Sequence, residues 1–150
     1  MISYYYDIIF NFFNNPVILI PLVAWFVTQT IKVIIIAVKD KKFNFELYFI
    51  PGGFPSSHSA FVTSLCVVVG SLSGFDSTIF GVSLGFTAFV LYDASVIRRA
   101  AQKQARSLNE LMEFVNIEKM EPLRDVLGHS FFEVLSGSII GITIGILMML

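Results

Sequence analysis

Charged residues are missing from three long stretches of this 150-residue chain, and their absence constrains the fold more than any motif does. Residues 1–31 carry only Asp7, residues 47–92 only Asp76 and residues 126–150 only Glu133, whereas residues 98–125 carry eleven charges. The chain as a whole is 14% charged, against about 25% in soluble domains. This distribution is typical of an integral membrane protein with one polar segment.

Four stretches are apolar enough to cross a bilayer, which requires about 20 helical residues. They are residues 16–38, 58–75, 77–97 and 126–150. The polar segment predicts a helix over 98–122, ended by Pro122, and the aromatic residues 3–13 predict a short interfacial helix. We therefore expect an all-α fold over residues 1–150: one transmembrane helical domain of about four spans plus an amphipathic cytoplasmic or interfacial helix.

The same charge pattern indicates orientation and excludes some functions. Lysine and arginine collect in the loops after the first and third spans, which predicts that both loops are cytoplasmic in a multi-pass cell-membrane protein. A net charge of −1 argues against a nucleic-acid partner. The single Cys66 excludes a disulfide framework and a cysteine metal cluster. We expect no metal and no other cofactor.

The unusual polar residues of the predicted spans all fall near the predicted cytoplasmic ends. They are Gln29, Lys32 and Lys39 in the first span, Ser56, Ser57 and His58 before and at the second, Asp93, Arg98 and Arg99 at the end of the third, and His129 and Glu133 in the fourth. Ionisable groups inside a membrane are costly and mark a functional site by default. We expect these side chains to surround one site at the cytoplasmic face.

The residue types suit phosphate chemistry. Ser56 or Ser57 is a natural N-cap, and a helix N-terminus attracts phosphate. Lys32, Lys39, Arg98 and Arg99 supply positive charge, with Asp93 and Gln29 in supporting positions. His129 and Glu133, spaced i,i+4, predict an imidazole oriented by a carboxylate, and His58 is a second histidine able to donate a proton. The set predicts phosphoryl transfer through a phosphohistidine.

Small residues recur at four-residue spacing in three spans, which allows close approach of helices in lipid. The glycines concerned are Gly70, Gly74, Gly81, Gly85, Gly137, Gly141 and Gly145. Tight packing within one protomer is the first interpretation of this spacing. A homodimer formed through these glycine faces is the alternative.

Taken together, these motifs resemble the divergent PAP2 family, small membrane relatives of type 2 phosphatidic acid phosphatases and vanadium haloperoxidases. The matching stretches are Gly52–Ala60, Asp93 with Arg98-Arg99, Gln104-Ala105 with Leu108-Asn109, and Leu127–His129 with Glu133-Val134 and Gly137. The resemblance covers most of the chain and implies a PAP2-like helical bundle. It implies a membrane lipid phosphatase as the activity.

The parent superfamily uses the motifs K-x6-R-P, P-S-G-H and S-R-x5-H-x3-D. By resemblance, His129 is the nucleophile, Glu133 its orienting carboxylate and His58 the general acid, while Lys32 and Lys39 hold phosphate oxygens. Four substitutions depart from these motifs: Lys39 for arginine, Asp40 for proline, Ser57 for glycine and Glu133 for aspartate. The S-R pair is missing, and we expect Arg98 or Arg99 to replace its arginine.

The four predicted spans and the predicted cytoplasmic site also differ from membrane PAP2 enzymes, which usually have six spans and an outward-facing site. Three functions therefore stay open. The first is a phosphatase acting on a lipid or isoprenoid phosphate monoester or diphosphate without metal. The second is a non-catalytic binder or carrier of anionic lipid or phosphate, and the third is a structural membrane subunit.

Overall fold

The computed structural model describes residues 2–41, 45–48, 52–115, 120–123, 125 and 128–150, and these form an all-helical chain. The helices are α1 (Ile2–Phe13), α2 (Pro16–Asp40), α3 (Ser57–Ser73), α4 (Thr78–Tyr92), α5 (Arg98–Phe114) and α6 (Phe131–Met149). A short 3₁₀ helix lies at Phe45–Tyr48, and a π-helical turn at Asp93–Ile97 joins α4 to α5. The expected all-α fold is confirmed.

Among the described residues, three helices are long and apolar enough to cross a membrane. They are α2, α6 and the continuous helix Thr78–Phe114 that α4, the π turn and α5 form together. The second predicted span, residues 58–75, corresponds to α3, which is apolar but only 17 residues long. The chain is thus a membrane protein, and its exposed apolar side chains are suited to contact lipid acyl chains.

Helix α3 lies at the centre of the bundle and packs against α2, α4 and α6. Its contact with α6 is close because a Cβ added at Gly137 would overlap the carbonyl oxygen of Ser56, and one at Gly141 would overlap that of Ala60. Thr63 adds a hydrogen bond across this contact, donating from Oγ1 to the carbonyl of Ser138 at 3.2 Å. The α6 glycines therefore pack within the protomer, as the first interpretation expected.

The glycine pair on α4 differs from the α6 glycines. A Cβ added at Gly81 or Gly85 would meet no described atom within 4 Å. Of the predicted glycine faces, this pair is the one that leaves open space beside a helix, and the homodimer stays a prediction.

The polar segment leaves the bundle and then returns along itself. Helix α5 ends at Phe114 rather than at residue 122, so the predicted helix was too long. The returning chain is held against α5 by Asn109, which bonds the backbone of Leu123 in both directions at 2.8 and 2.9 Å, and by the Arg106–Asp125 ion pair at 3.1 Å. These contacts direct residues 128–130 back to the membrane end of α5.

The last helix begins later than hydropathy predicts. Helix α6 begins at Phe131, capped by Ser130, and not at residue 126. Ser130 and Glu133 form a capping box in which each side chain accepts from the other's backbone N–H. His129 therefore lies in the connecting segment ahead of the helix, although the sequence placed it within a span.

Candidate functional site

Two helix N-termini are joined at the centre of the bundle. Ser56 caps α3, and its own backbone N–H donates to the carbonyl of Glu133 in the first turn of α6 at 3.0 Å. The preceding glycines, Gly52 and Gly53, have φ of 92° and 84°, a conformation that favours glycine. This connection brings the Pro-Ser-Ser-His segment and the His-x3-Glu segment into contact, although they are more than 70 residues apart.

The Glu133 carboxylate holds the His129 ring in a defined orientation. A single oxygen, Oε2, accepts from the backbone N–H of Ser130 at 2.8 Å and lies 3.1 Å from Nδ1 of His129. Because a carboxylate accepts, Nδ1 carries the proton in this contact and Nε2 keeps its lone pair. The predicted i,i+4 pair is in contact, but with His129 outside the helix rather than on a shared helical face.

The π turn contributes a contact that the sequence did not reveal. In a π turn the hydrogen-bond pattern shifts by one residue, and such turns are frequent at functional sites. Here the carbonyl of Ala94 accepts from the backbone N–H of His129 at 3.1 Å. In the same turn Asp93 Oδ2 accepts from Arg98 Nε at 2.7 Å. One local irregularity thus anchors His129 and positions Arg98.

Both histidines line one cavity. Its walls are His58, Val90, Asp93, Ala94, Arg98 and His129. The cavity measures about 20 Å³, which is room for about one water molecule. His129 is buried, whereas His58 is exposed and Arg98 is 45% exposed, so these two side chains are the ones free to move when a larger group enters.

The imidazole of His129 is surrounded by charges of both signs. Burial lowers the pKa of His129, and Lys32 and Arg98 lower it further, while the hydrogen bond and charge of Glu133 oppose them. The net effect lowers the pKa, so His129 is neutral at pH 7 and its Nε2 is available as a nucleophile or base. Lys32 itself is only 3% exposed and interacts electrostatically with Glu133.

The remaining predicted site residues lie at different distances from this cavity. Ser57 is buried in the first turn of α3, and Arg99 lies on the other side of His129. Lys39 is exposed near the end of α2 and lines neither described cavity. Gln29 is buried, and its amide donates to the carbonyl of Tyr48 at 2.6 Å, which ties the 3₁₀ helix to α2.

Sequence reasoning missed two elements of the site. The capping box has a recognisable signature, since Ser130 and Glu133 are spaced S-x-x-E. Gly128 entered the sequence interpretation only as part of the family motif, with no structural role assigned to it, yet a Cβ there would lie 2.6 Å from Cα of Arg99. Within the described residues, no three His, Cys, Asp or Glu side chains are grouped so that they could hold a metal ion.

Comparison with known proteins agrees with the motifs. The family model described as the divergent PAP2 family matches residues 13–144. The chain is 36% identical over 149 residues to the uncharacterized membrane protein YuiD of Bacillus subtilis (strain 168), covering 90% of this chain and 94% of that protein. No solved structure matches.

Proposed function

This chain belongs to the divergent PAP2 family, and on that premise we propose that it is a membrane phosphatase that hydrolyses a lipid or isoprenoid phosphate monoester or diphosphate. One observation carries the proposal. His58 and His129 line one cavity together with Arg98, and Glu133 accepts a hydrogen bond from Nδ1 of His129 at 3.1 Å. A purely structural role for either histidine does not require this arrangement.

The proposed reaction has two steps. In the first, Nε2 of His129 attacks phosphorus, an N–P bond forms and the P–O bond to the lipid breaks. His58 donates a proton to the departing oxygen. In the second, water attacks the phosphohistidine, its proton passes to His58, and the N–P bond breaks to release inorganic phosphate. Glu133 stabilises the positive charge that develops on the imidazole.

Cationic side chains near the two rings supply the charge that a phosphate requires. Arg98 lies in the histidine cavity and is the proposed replacement for the arginine of the absent S-R pair. Asp93 holds its Nε, which leaves the other guanidinium nitrogens free to reach phosphate oxygens. Lys32 supports the site electrostatically, whereas Lys39 lines neither described cavity. The charge distribution of the loops favours a site at the cytoplasmic face.

A second candidate function is supported by the small size of the cavity and by the missing S-R pair. Both fit a non-catalytic binder or carrier of anionic lipid or phosphate, which requires cations but no nucleophile. The two candidates differ in what happens to the bound phosphate.

The test is a phosphate-release screen over lipid and isoprenoid phosphates, using purified protein in detergent and no added metal. We expect turnover by the unaltered protein and its loss in His129→Gln, whose backbone bond to Ala94 is retained. Exposed Lys41→Asn is the control, since it removes a charge away from the cavity. Binding without hydrolysis, unaffected by His129→Gln and His58→Gln, would establish the carrier instead.

A further inference from the structure

A second and larger cavity shares His129 with the histidine cavity. It measures about 290 Å³ and lies between one face of α5 and residues 128–133. Of the described residues that line the two cavities, His129 is the one they share. The side toward α3 and α4 is the small histidine cavity, and the side toward α5 is open to a larger group.

The wall formed by α5 is strongly basic. Arg99, Gln102, Lys103 and Arg106 follow one another at spacings that put them on a single helical face. Arg106 is paired with Asp125 at 3.1 Å. Across the part of the chain that the structure describes, Arg99 and Lys103 form no ion pair, and both are exposed.

The opposite wall does not neutralise this charge. Its one carboxylate, Glu133, is already bonded to the backbone of Ser130 and to His129. The cavity therefore presents two cations without an ion-pair partner among the described residues, Arg99 and Lys103, against one engaged carboxylate. An arginine and a lysine one turn apart provide several donors in positions that suit the oxygens of a phosphate.

Backbone contacts fix the width of this cavity. Gly128 lies against α5 so closely that a Cβ would come within 2.6 Å of Cα and 2.9 Å of N of Arg99. The bond from His129 N–H to the Ala94 carbonyl holds the next residue. Backbone contacts thus hold the wall of the cavity that faces Arg99 and Lys103.

We propose that this cavity is a second phosphate-binding site, in which Arg99 and Lys103 bind a phosphate group separately from the histidine cavity. The group is either the phosphodiester of an anionic lipid headgroup or free inorganic phosphate. An anion bound there lies beside the His129–Glu133 pair, so its occupancy is expected to alter the proton affinity of that pair. The site rests on the geometry of α5 and does not require hydrolysis to occur.

Two binding measurements test this site and distinguish its occupants. In the first, inorganic phosphate is titrated calorimetrically into the full-length protein in neutral detergent. In the second, native mass spectrometry of the protein in nanodiscs measures how much phosphatidylglycerol the protein retains, compared with phosphatidylcholine. Each uses the double variant Arg99→Gln/Lys103→Gln, with Lys41→Asn as the matched loss of an exposed cation and Arg98→Gln to probe the histidine cavity.

We expect the double variant to weaken binding of phosphate or of phosphatidylglycerol about tenfold, since two exposed charge contacts each contribute up to about fivefold. Arg98→Gln weakens only binding in the histidine cavity, so the loss caused by the double variant should persist when Arg98→Gln is also present. Loss in the phosphate arm identifies free phosphate as the occupant, and loss in the lipid arm identifies a headgroup.

The proposal is overturned if the double variant behaves like Lys41→Asn in both arms, or if the unaltered protein binds neither ligand. Binding that depends on Arg99 and Lys103 in a protein that hydrolyses nothing would leave this site standing and would refute the phosphatase. If hydrolysis is lost in His129→Gln and the double variant binds both ligands normally, the phosphatase stands and this second site is refuted.

Discussion

Replacing Glu133 by glutamine isolates the charge of one carboxylate at the centre of the site. In the unaltered protein a single oxygen contacts both Ser130 N and His129 Nδ1. The amide oxygen of glutamine can take both contacts, so the variant keeps the geometry and loses the negative charge. Glu133→Ala, in contrast, removes both contacts and the capping box.

The magnitude follows from the two contacts. Hydrogen bonds to charged groups contribute about 1 kcal/mol more than neutral ones, and a carboxylate in the first turn of a helix adds about 0.3–1 kcal/mol. With two such contacts, Glu133→Gln should therefore lower the free energy of unfolding by about 2–3 kcal/mol. Because positive charge develops on His129 during attack, kcat should fall about tenfold, since each tenfold change in rate corresponds to about 1.4 kcal/mol.

The pH dependence gives a second, independent result. Glu133 raises the pKa of His129 against burial and two cations. Without its charge the pKa of His129 falls further, so the acidic limb of kcat/KM should move to lower pH in Glu133→Gln.

The assay combines thermal unfolding in detergent with a pH–rate profile on one lipid phosphate. Glu113→Gln, an exposed carboxylate on α5, is the matched control. A Glu133→Gln profile that superimposes on that of Glu113→Gln, in rate and in pH, would refute the assigned role of the carboxylate.

Three further predictions concern His58, Gly137 and the acid sensitivity of the fold. In single-turnover measurements, His58→Gln should slow release of the leaving group from a lipid monoester but not from p-nitrophenyl phosphate, whose leaving group requires no proton; equal slowing of this first step on both substrates would argue against the general acid. Gly137→Ala should destabilise the protein by about 1–3 kcal/mol because the added methyl overlaps Ser56, whereas Gly81→Ala, which meets open space, should be neutral or stabilising; equal effects would contradict the packing. Because the folded-state pKa of His129 is lowered, the contribution of the neutral His129 to stability is present above pH 6.5 and is lost as the pH falls below 6.5. The free energy of unfolding of His129→Gln, measured by chemical unfolding, should therefore fall less than that of the unaltered protein as the pH is lowered below 6.5. The same pH dependence of the unfolding free energy in both proteins would contradict the assignment.

Some of the fold follows directly from local sequence signals. Hydropathy predicts the end of α2 to within two residues. Asn15 and Pro16 mark the start of this helix, and Lys39-Asp40 mark the return of the chain to water. The N-cap at Ser56 follows from the turn formed by Gly52-Gly53. These features depend on residues that are neighbours in the chain, which is why the sequence predicts them.

Other features depend on contacts between distant residues. Helix α5 ends at Phe114 instead of extending to residue 122, because the chain turns back and Leu123 lies against α5. That reversal is stabilised by Asn109 bonding Leu123. Hydropathy counts apolar residues regardless of backbone conformation, so it placed the start of α6 too early.

The grouping of the site was predictable, while its internal geometry was not. Hydropathy and loop charge put both histidines at one predicted membrane face, and in the structure their rings line the same cavity. The π turn that anchors His129 has no sequence signature. The second cavity depends on the return of Gly128 to Arg99, a contact across 29 positions that no local pattern indicates.

The central claim is that His129 carries the phosphoryl group during turnover, and trapping that intermediate tests it most directly. The protein is mixed with a lipid phosphate, quenched in alkali within the first turnover, digested and sequenced by mass spectrometry. We predict phosphate on His129, and its absence in His129→Gln. Hydrolysis that proceeds with no phosphate on His129, or with phosphate on another residue, would contradict the account.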